Sequence, residues 1–115
     1  KGDICPLTPE CLNDGDLVVD AIFGAGLKRP IEGAIKKTID LINEYRFDCV
    51  SIDLPSGVDG NTGQVLGVAP KCIVSVTFFR RKLGHLLLPG RDLAGDVVVC
   101  FVTKCPLDLR RISKW

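Results

Sequence analysis

The stretch that most constrains this chain is SIDLPSGVDG, Ser51 to Gly60. An apolar run from Phe47 to Leu54 carries a carboxylate, Asp53, near its end, and Pro55, Ser56, Gly57, Asp59 and Gly60 follow at once. Open α/β sheets present chemistry in this way, on strand tips that bear an acid and break into a Gly/Pro turn, because ligands bind outside the carboxyl ends of their parallel strands. A second segment, LVVDAIFGAG (Leu17 to Gly26), repeats the design with Asp20 inside the run and Gly24 and Gly26 opening its end. The residues between the two are expected to form the helix that joins them as neighbouring parallel strands, which turns both acids toward one crevice.

Leu17 to Phe23 is apolar apart from Asp20, a pattern suited to a strand covered by helices on both faces of the sheet. A buried acid in such a run needs a partner or a cation, so Asp20 is either a solvated strand end or a ligand-facing group. The loop Gly24-Ala25-Gly26-Leu27-Lys28-Arg29-Pro30 follows, and its glycines permit consecutive N–H groups to converge on an anion. Pro30 is expected in the first helical turn. Ile31, Ala34, Ile35, Ile39 and Ile42 then form one helical stripe, with Glu32–Lys36 as an i,i+4 pair on the wet side. A phosphate suits the start of that helix. The loop is neither GxGxxG nor GxxxxGK, so glycines used only for turning remain the alternative.

Ser56 and Asp59 flank Gly57 without forming a GxSxG elbow, and the only histidine, His85, lies far along the chain. A serine-hydrolase triad is therefore disfavoured, whereas a hydroxyl and turn carbonyls beside a carboxylate suit a hard cation. Asn61-Thr62-Gly63 is a surface turn. Lys71 to Phe79 predicts a third strand that runs into Arg80, Arg81 and Lys82, a cluster serving either a phosphate or solvent. His85 reads as a structural histidine. Val97 to Val102 predicts a fourth strand, and the closing KCPLDLRRISKW is basic and weakly amphipathic.

A chain of 115 residues with net charge +1 makes one domain with a modest core, and the balance argues against a nucleic-acid surface. The six cysteines show no CxxC, and a lone histidine cannot complete a zinc set with thiols so scattered. Cys49, Cys72 and Cys100 lie in or beside β-rich runs, as small buried hydrophobes in a reducing compartment. No signal peptide or membrane-spanning run is evident. The chain opens on Lys1 rather than Met and reads as a fragment of a longer protein.

VVDAIFGAGLKRPIEG (18–33), SIDLPSGVDGNTGQVLG (51–67), VTFFRRKLGHLLLPG (76–90) and AGDVVV (94–99) together resemble the NAD(P)HX epimerase family, the YjeF N-terminal domain. The resemblance implies a Rossmann-like α/β three-layer sandwich with a mostly parallel sheet, incomplete at its N-terminus. Residues 1–102 would be the C-terminal portion of that domain and residues 103–115 a divergent basic tail. It implies epimerisation of the R and S forms of hydrated NADH and NADPH, a potassium ion as cofactor, and a fused or separate ADP- or ATP-dependent dehydratase. A cytoplasmic or organellar location and a homodimer are compatible with it; nucleic acid and membrane are not implied. By the same analogy Asp20 and Ser56 look like potassium ligands. Gly24, Ala25, Gly26, Leu27, Lys28, Arg29 and Pro30 look like the part that takes the substrate's phosphates, and Asp53 like the catalytic group that contacts the hydrated nicotinamide.

Two departures stand out. Phe79-Arg-Arg-Lys-Leu-Gly84 replaces the family's usual Gly-Ala-Pro-Lys-Pro-Gly, with Lys82 on the lysine. An Asn/Gly-rich motif that the family carries earlier, and that normally completes its potassium and nucleotide sites, does not occur in these residues. The competing reading is a non-catalytic nucleotide-binding or scaffold module of the same fold, as in RNA-decapping assemblies, and a dehydrogenase is a weaker third. Retention of Asp20, Asp53, Ser56 and the loop glycines favours catalysis.

Overall fold

A computed structural model describes residues 2–101. Strands β1 (Leu17–Asp20), β2 (Asp48–Ile52), β3 (Val74–Phe78) and β4 (Asp96–Cys100) form one parallel sheet in the order β1-β2-β3-β4. The α/β, Rossmann-like class expected from the sequence is the class observed. Each strand is shorter than the apolar run that foretold it, because the run ends leave the sheet for loops. Val102 and the tail 103–115 lie outside the described residues.

Helix α1 (Gly33–Glu44) joins β1 to β2. Pro30 is not in its first turn, contrary to the sequence reading. The Ile31 N–H donates to the Leu66 carbonyl at 3.0 Å, which pins residues 30–32 against the 64–68 segment and delays the helix until Gly33. Glu32 is consequently the residue before the helix, and the expected Glu32–Lys36 pair is replaced by Lys36–Asp40 at 2.7 Å. Both partners are exposed, so that pair adds little.

The helical layer and the sheet meet over one face. Ile42 of α1 packs with Cys49 of β2, Cys72 and the partly buried Val18 of β1. Ile39 joins Ile31 and Val68 in a second cluster, and Leu54, Val58 and Ala69 form a third beneath Ala25 and Leu93. Strand register puts Asp20, Ser51 and Ser75 in one row of this face. The buried hydroxyls satisfy each other: Ser51 Oγ donates to Ser75 Oγ at 2.6 Å, and Ser75 Oγ donates to the Ala94 carbonyl at 2.7 Å in the short helix α2 (Gly90–Ala94). Cys49 and Cys72 are buried with their sulfurs 3.5 Å apart, as small core residues, while Cys5 and Cys11 are exposed. No helix among the described residues is long and apolar enough to cross a membrane.

The opposite face is apolar and open among the described residues, with Leu17 61%, Val19 59% and Val98 49% exposed. A parallel sheet ordinarily needs cover on both faces. The 115-residue polypeptide is therefore expected to bind an apolar dye while folded and to self-associate as its concentration rises. Sedimentation velocity and urea unfolding check this. A monodisperse monomer that unfolds cooperatively and ignores the dye contradicts it.

Candidate functional site

Two strand tips and one loop build the site. Asp20 closes β1 and is only 4% exposed. Its Oδ2 accepts the Ser56 N–H at 2.6 Å and its Oδ1 accepts the Ser56 hydroxyl, also at 2.6 Å. Ser56 Oγ in turn accepts the Phe23 N–H at 2.9 Å, with the Phe23 carbonyl 3.2 Å away. One serine thereby laces the loop after β1 to the turn after β2. Gly57 follows with φ 99°, and a Cβ there would overlap the Val68 carbonyl oxygen, so the turn requires glycine. Of the two readings of Asp20, a solvated strand end is excluded by its burial. It lies beneath the loop, and its partners are neutral: among the described residues no cationic side chain pairs with it.

Asp53 sits one residue beyond β2 with φ 75°, a left-handed backbone that few residues other than glycine adopt. Its N–H still bonds to the Val76 carbonyl of β3 at 2.7 Å, and the next amide, of Leu54, folds back onto the Ile52 carbonyl at 3.2 Å. Oδ1 takes the Thr77 hydroxyl at 2.8 Å and the Lys82 ammonium at 2.7 Å, while Oδ2 takes the Ala25 N–H at 3.2 Å. Lys82 completes its donor set on Thr77 Oγ1 at 2.7 Å and the Phe78 carbonyl at 3.1 Å. Burial pushes the Asp53 carboxyl upward, but the hydrogen bonds from Lys82, Thr77 and Ala25 and the lysine charge outweigh it and hold the group below the ordinary aspartate value. Asp53 is an anion at neutral pH, and with three donors placed on it, Oδ2 retains a free lone-pair direction.

The 24–30 loop lines a cavity of about 590 Å³ through Gly24, Gly26, Leu27, Lys28, Arg29 and Pro30, together with Ile31 and Ile35 of the following segment. Ala25 turns away from it, packing against Leu54, Val58 and Ala69 while its N–H bonds to Asp53. The expected run of consecutive free amides is likewise interrupted. Leu27 N–H bonds to the Gly24 carbonyl, and the amides without an internal partner among the described residues are those of Gly24, Gly26, Lys28 and Arg29. Neither loop glycine has a positive φ, contrary to the reason given for them. Gly24 is small because a Cβ would come within 3.1 Å of Asp53 Oδ2, whereas a Cβ on Gly26 would meet nothing within 4 Å.

Asp59, which with Ser56 flanks Gly57, serves its own turn: its Oδ1 caps the Asn61 and Thr62 amides at 2.7 and 3.0 Å. Of the basic cluster, Lys82 faces Asp53, while Arg81 reaches the Val97 carbonyl at 3.3 Å. Thr77 was missed by sequence reasoning; the alternation of Ser75 and Thr77 within VSVTF is the signal that both hydroxyls share the covered face.

Similarity to known proteins bears on this geometry. The family described as YjeF-related protein N-terminus matches residues 2–84. A bifunctional NAD(P)H-hydrate repair enzyme Nnr from Thermofilum pendens is 51% identical over 84 residues, covering 73% of this chain and 16% of that protein. An NAD(P)H-hydrate epimerase from Limosilactobacillus fermentum is 44% identical over 91 residues, covering 79% of this chain and 44% of its own length. Another, from Leuconostoc citreum, is 38% identical over 87 residues, 76% of this chain and 39% of its own. The chain spans less than half the length of each of these relatives.

The loop geometry makes a prediction about Asp53. In Gly24→Ala the new methyl crowds Oδ2 and loosens its bond from the Ala25 N–H, so the Asp53 carboxyl is expected to titrate closer to the ordinary value. Gly26→Ala should leave that titration unchanged. Carboxyl carbon shifts followed by NMR across acid pH distinguish the two; equal titration in both variants contradicts the assignment.

Proposed function

The chain belongs to the YjeF-related protein N-terminus family, and on that premise we propose that it supplies the chemical centre of an NAD(P)H-hydrate epimerase. The observation that carries the reading is Asp53, a carboxylate held anionic against the Gly24–Ala25 end of a loop whose other residues line the cavity and bring Lys28, Arg29 and unpartnered amides to it. Hydrated NADH or NADPH combines a pyrophosphate with a ring carbon that bears a hydroxyl next to nitrogen. The loop amides and the two cationic side chains suit the phosphates. Inversion by ring opening breaks the carbon–nitrogen bond as the hydroxyl proton passes to a base, leaving an aldehyde and a ring nitrogen that takes that proton up; reclosure on the other face of the aldehyde reverses both transfers. Asp53 Oδ2 is the group available to accept and return that proton. Lys82 and Thr77 keep the carboxylate from swinging away and leave Oδ1 no part in the transfer.

Potassium fits the neighbouring position. A buried carboxylate with neutral partners carries an uncompensated charge, and the Asp20 carboxylate, Ser56 Oγ and the Phe23 carbonyl offer the oxygen donors a hard monovalent cation prefers. Asp20 and Ser56 would hold the ion, which would supply charge compensation beneath the loop that carries the substrate's phosphates. The dehydratase partner of the proposal rests on the Thermofilum pendens relative, whose name describes a bifunctional enzyme.

In the intact protein, Asp53→Asn is expected to lower kcat for epimerisation by roughly 100-fold or more at every potassium concentration, the usual scale for removing a proton-transfer group. The amide conserves shape, so KM should move far less. Initial rates across a potassium titration check this, and near-normal turnover removes Asp53 from the chemistry. Asp20→Asn is expected to behave differently. Its amide can still bond Ser56 but brings no charge, so lost activity should be partly restored by raising potassium. Thermal melts provide an independent reading: potassium chloride should raise Tm more than choline chloride in the parent protein, and this difference should shrink in Asp20→Asn. Identical melts in both salts contradict the ion assignment.

A further inference from the structure

We infer that His85 is a positioning residue for the proposed chemistry: its imidazole joins the Asp53 carbonyl to the Lys82 N–H and so sets both halves of the Asp53–Lys82 pair from one rigid ring. The inference rests on the reading of Asp53 given above and extends it to a residue that does not touch substrate.

His85 ends a 3₁₀ turn, Leu83–His85, and is 2% exposed. Its Nδ1 lies 2.9 Å from the Lys82 backbone nitrogen, which can only donate, so Nδ1 is the acceptor and the ring proton is on Nε2. Nε2 then donates to the Asp53 carbonyl at 2.7 Å. Burial pushes this imidazole below its ordinary value, consistent with a neutral ring. Among the described residues the Asp53 carbonyl has no other hydrogen-bond partner. It belongs to a residue at φ 75°, outside both strand and helix geometry, so no ladder would supply one.

Two constraints therefore meet in the ring. Nε2 holds the carbonyl of a strained residue and thereby the direction in which its carboxylate leaves the backbone. Nδ1 holds the N–H of Lys82, the residue before that turn, whose ammonium sits on Oδ1. The turn has other anchors: the Gly84 N–H bonds to the Gly60 carbonyl at 2.9 Å, and the Leu86 and Leu87 amides bond to the Leu83 carbonyl at 2.9 Å each. Removing the ring is thus expected to leave the turn in place and free the acid.

The two ring nitrogens can be separated by substitution. His85→Gln places an amide N–H near the position of Nε2 and keeps the tie to Asp53, whereas His85→Asn places a carbonyl near Nδ1 and keeps only the tie to Lys82. In the intact protein, His85→Asn is expected to lower kcat by about 100-fold, the scale of an ångström-sized misplacement of a reacting group, with KM changed little. His85→Gln should retain most of the turnover. Both should melt at similar temperatures. Comparable kcat in the two variants, or losses that simply track Tm, would overturn the inference. A second readout needs no catalysis: the Asp53 carbonyl ¹³C shift should move in His85→Asn and hold in His85→Gln, and an unmoved shift in both also overturns it. Asp53→Asn run in parallel separates the failures. If that variant keeps full turnover, the proton-transfer reading is what falls, and the carbonyl shifts alone then decide whether His85 ties Asp53.

Discussion

The interaction on which the rest of the structure depends is the double hydrogen bond between Asp20 and Ser56. It joins the tips of adjacent strands through 2.6 Å contacts in a buried place, where hydrogen bonds to a charged group each contribute about 1.5–3 kcal/mol. Without it, the turn after β2 and the loop after β1 would be tied through the Phe23–Ser56 contact at 2.9 Å and the longer Ala25–Asp53 bond at 3.2 Å. The clamp also explains the turn's composition. Ser56 must offer both its amide and its hydroxyl, and Gly57 must follow because its φ of 99° and the approach of Val68 exclude a side chain.

The same clamp separates the surroundings of two acids that the strand register makes neighbours. Asp20 aligns with Ser51, two residues before Asp53. Asp20 is enclosed by amides and a hydroxyl and pairs with no cationic side chain among the described residues, whereas Asp53 has a lysine against it. Opposite environments give one residue type two different capacities. The enclosed carboxylate lacks a charged partner among the described residues, whereas Asp53 is paired with Lys82 and stays ionised.

Much of this plan was legible in the sequence. Both acid-tipped runs, the helix between them and the parallel pairing follow from apolar periodicity and Gly/Pro punctuation, which are local signals. The unread parts were non-local. Pro30 looked like a helix start because φ suits it, yet the bond from Ile31 to Leu66 holds that segment extended. Gly24 and Gly26 looked alike, but only Gly24 lies against the Asp53 carboxylate, a contact made across the β1–β2 pair. His85 was read as structural, and its burial agrees. Its particular partners, one amide three residues away and one carbonyl thirty-two residues away, could not be read from spacing.

A last step concerns why the Asp53 backbone should be strained at all. The register that pairs Ser51 with Ser75 and Ile52 with Val76 continues to Asp53 opposite Thr77, so side-chain alternation already puts both on the sheet's covered face. The left-handed conformation at Asp53 comes where the strand ends and the chain breaks into the Pro55–Gly57 turn, with the carboxylate still bonded to Thr77 and Lys82. Aspartate tolerates that conformation better than most residues, but among the described residues its carbonyl is left without a backbone partner. His85 supplies the missing donor. The backbone strain, the buried histidine and the ion pair therefore meet at one residue, an acid that ends its strand while its carboxylate stays on the sheet's covered face.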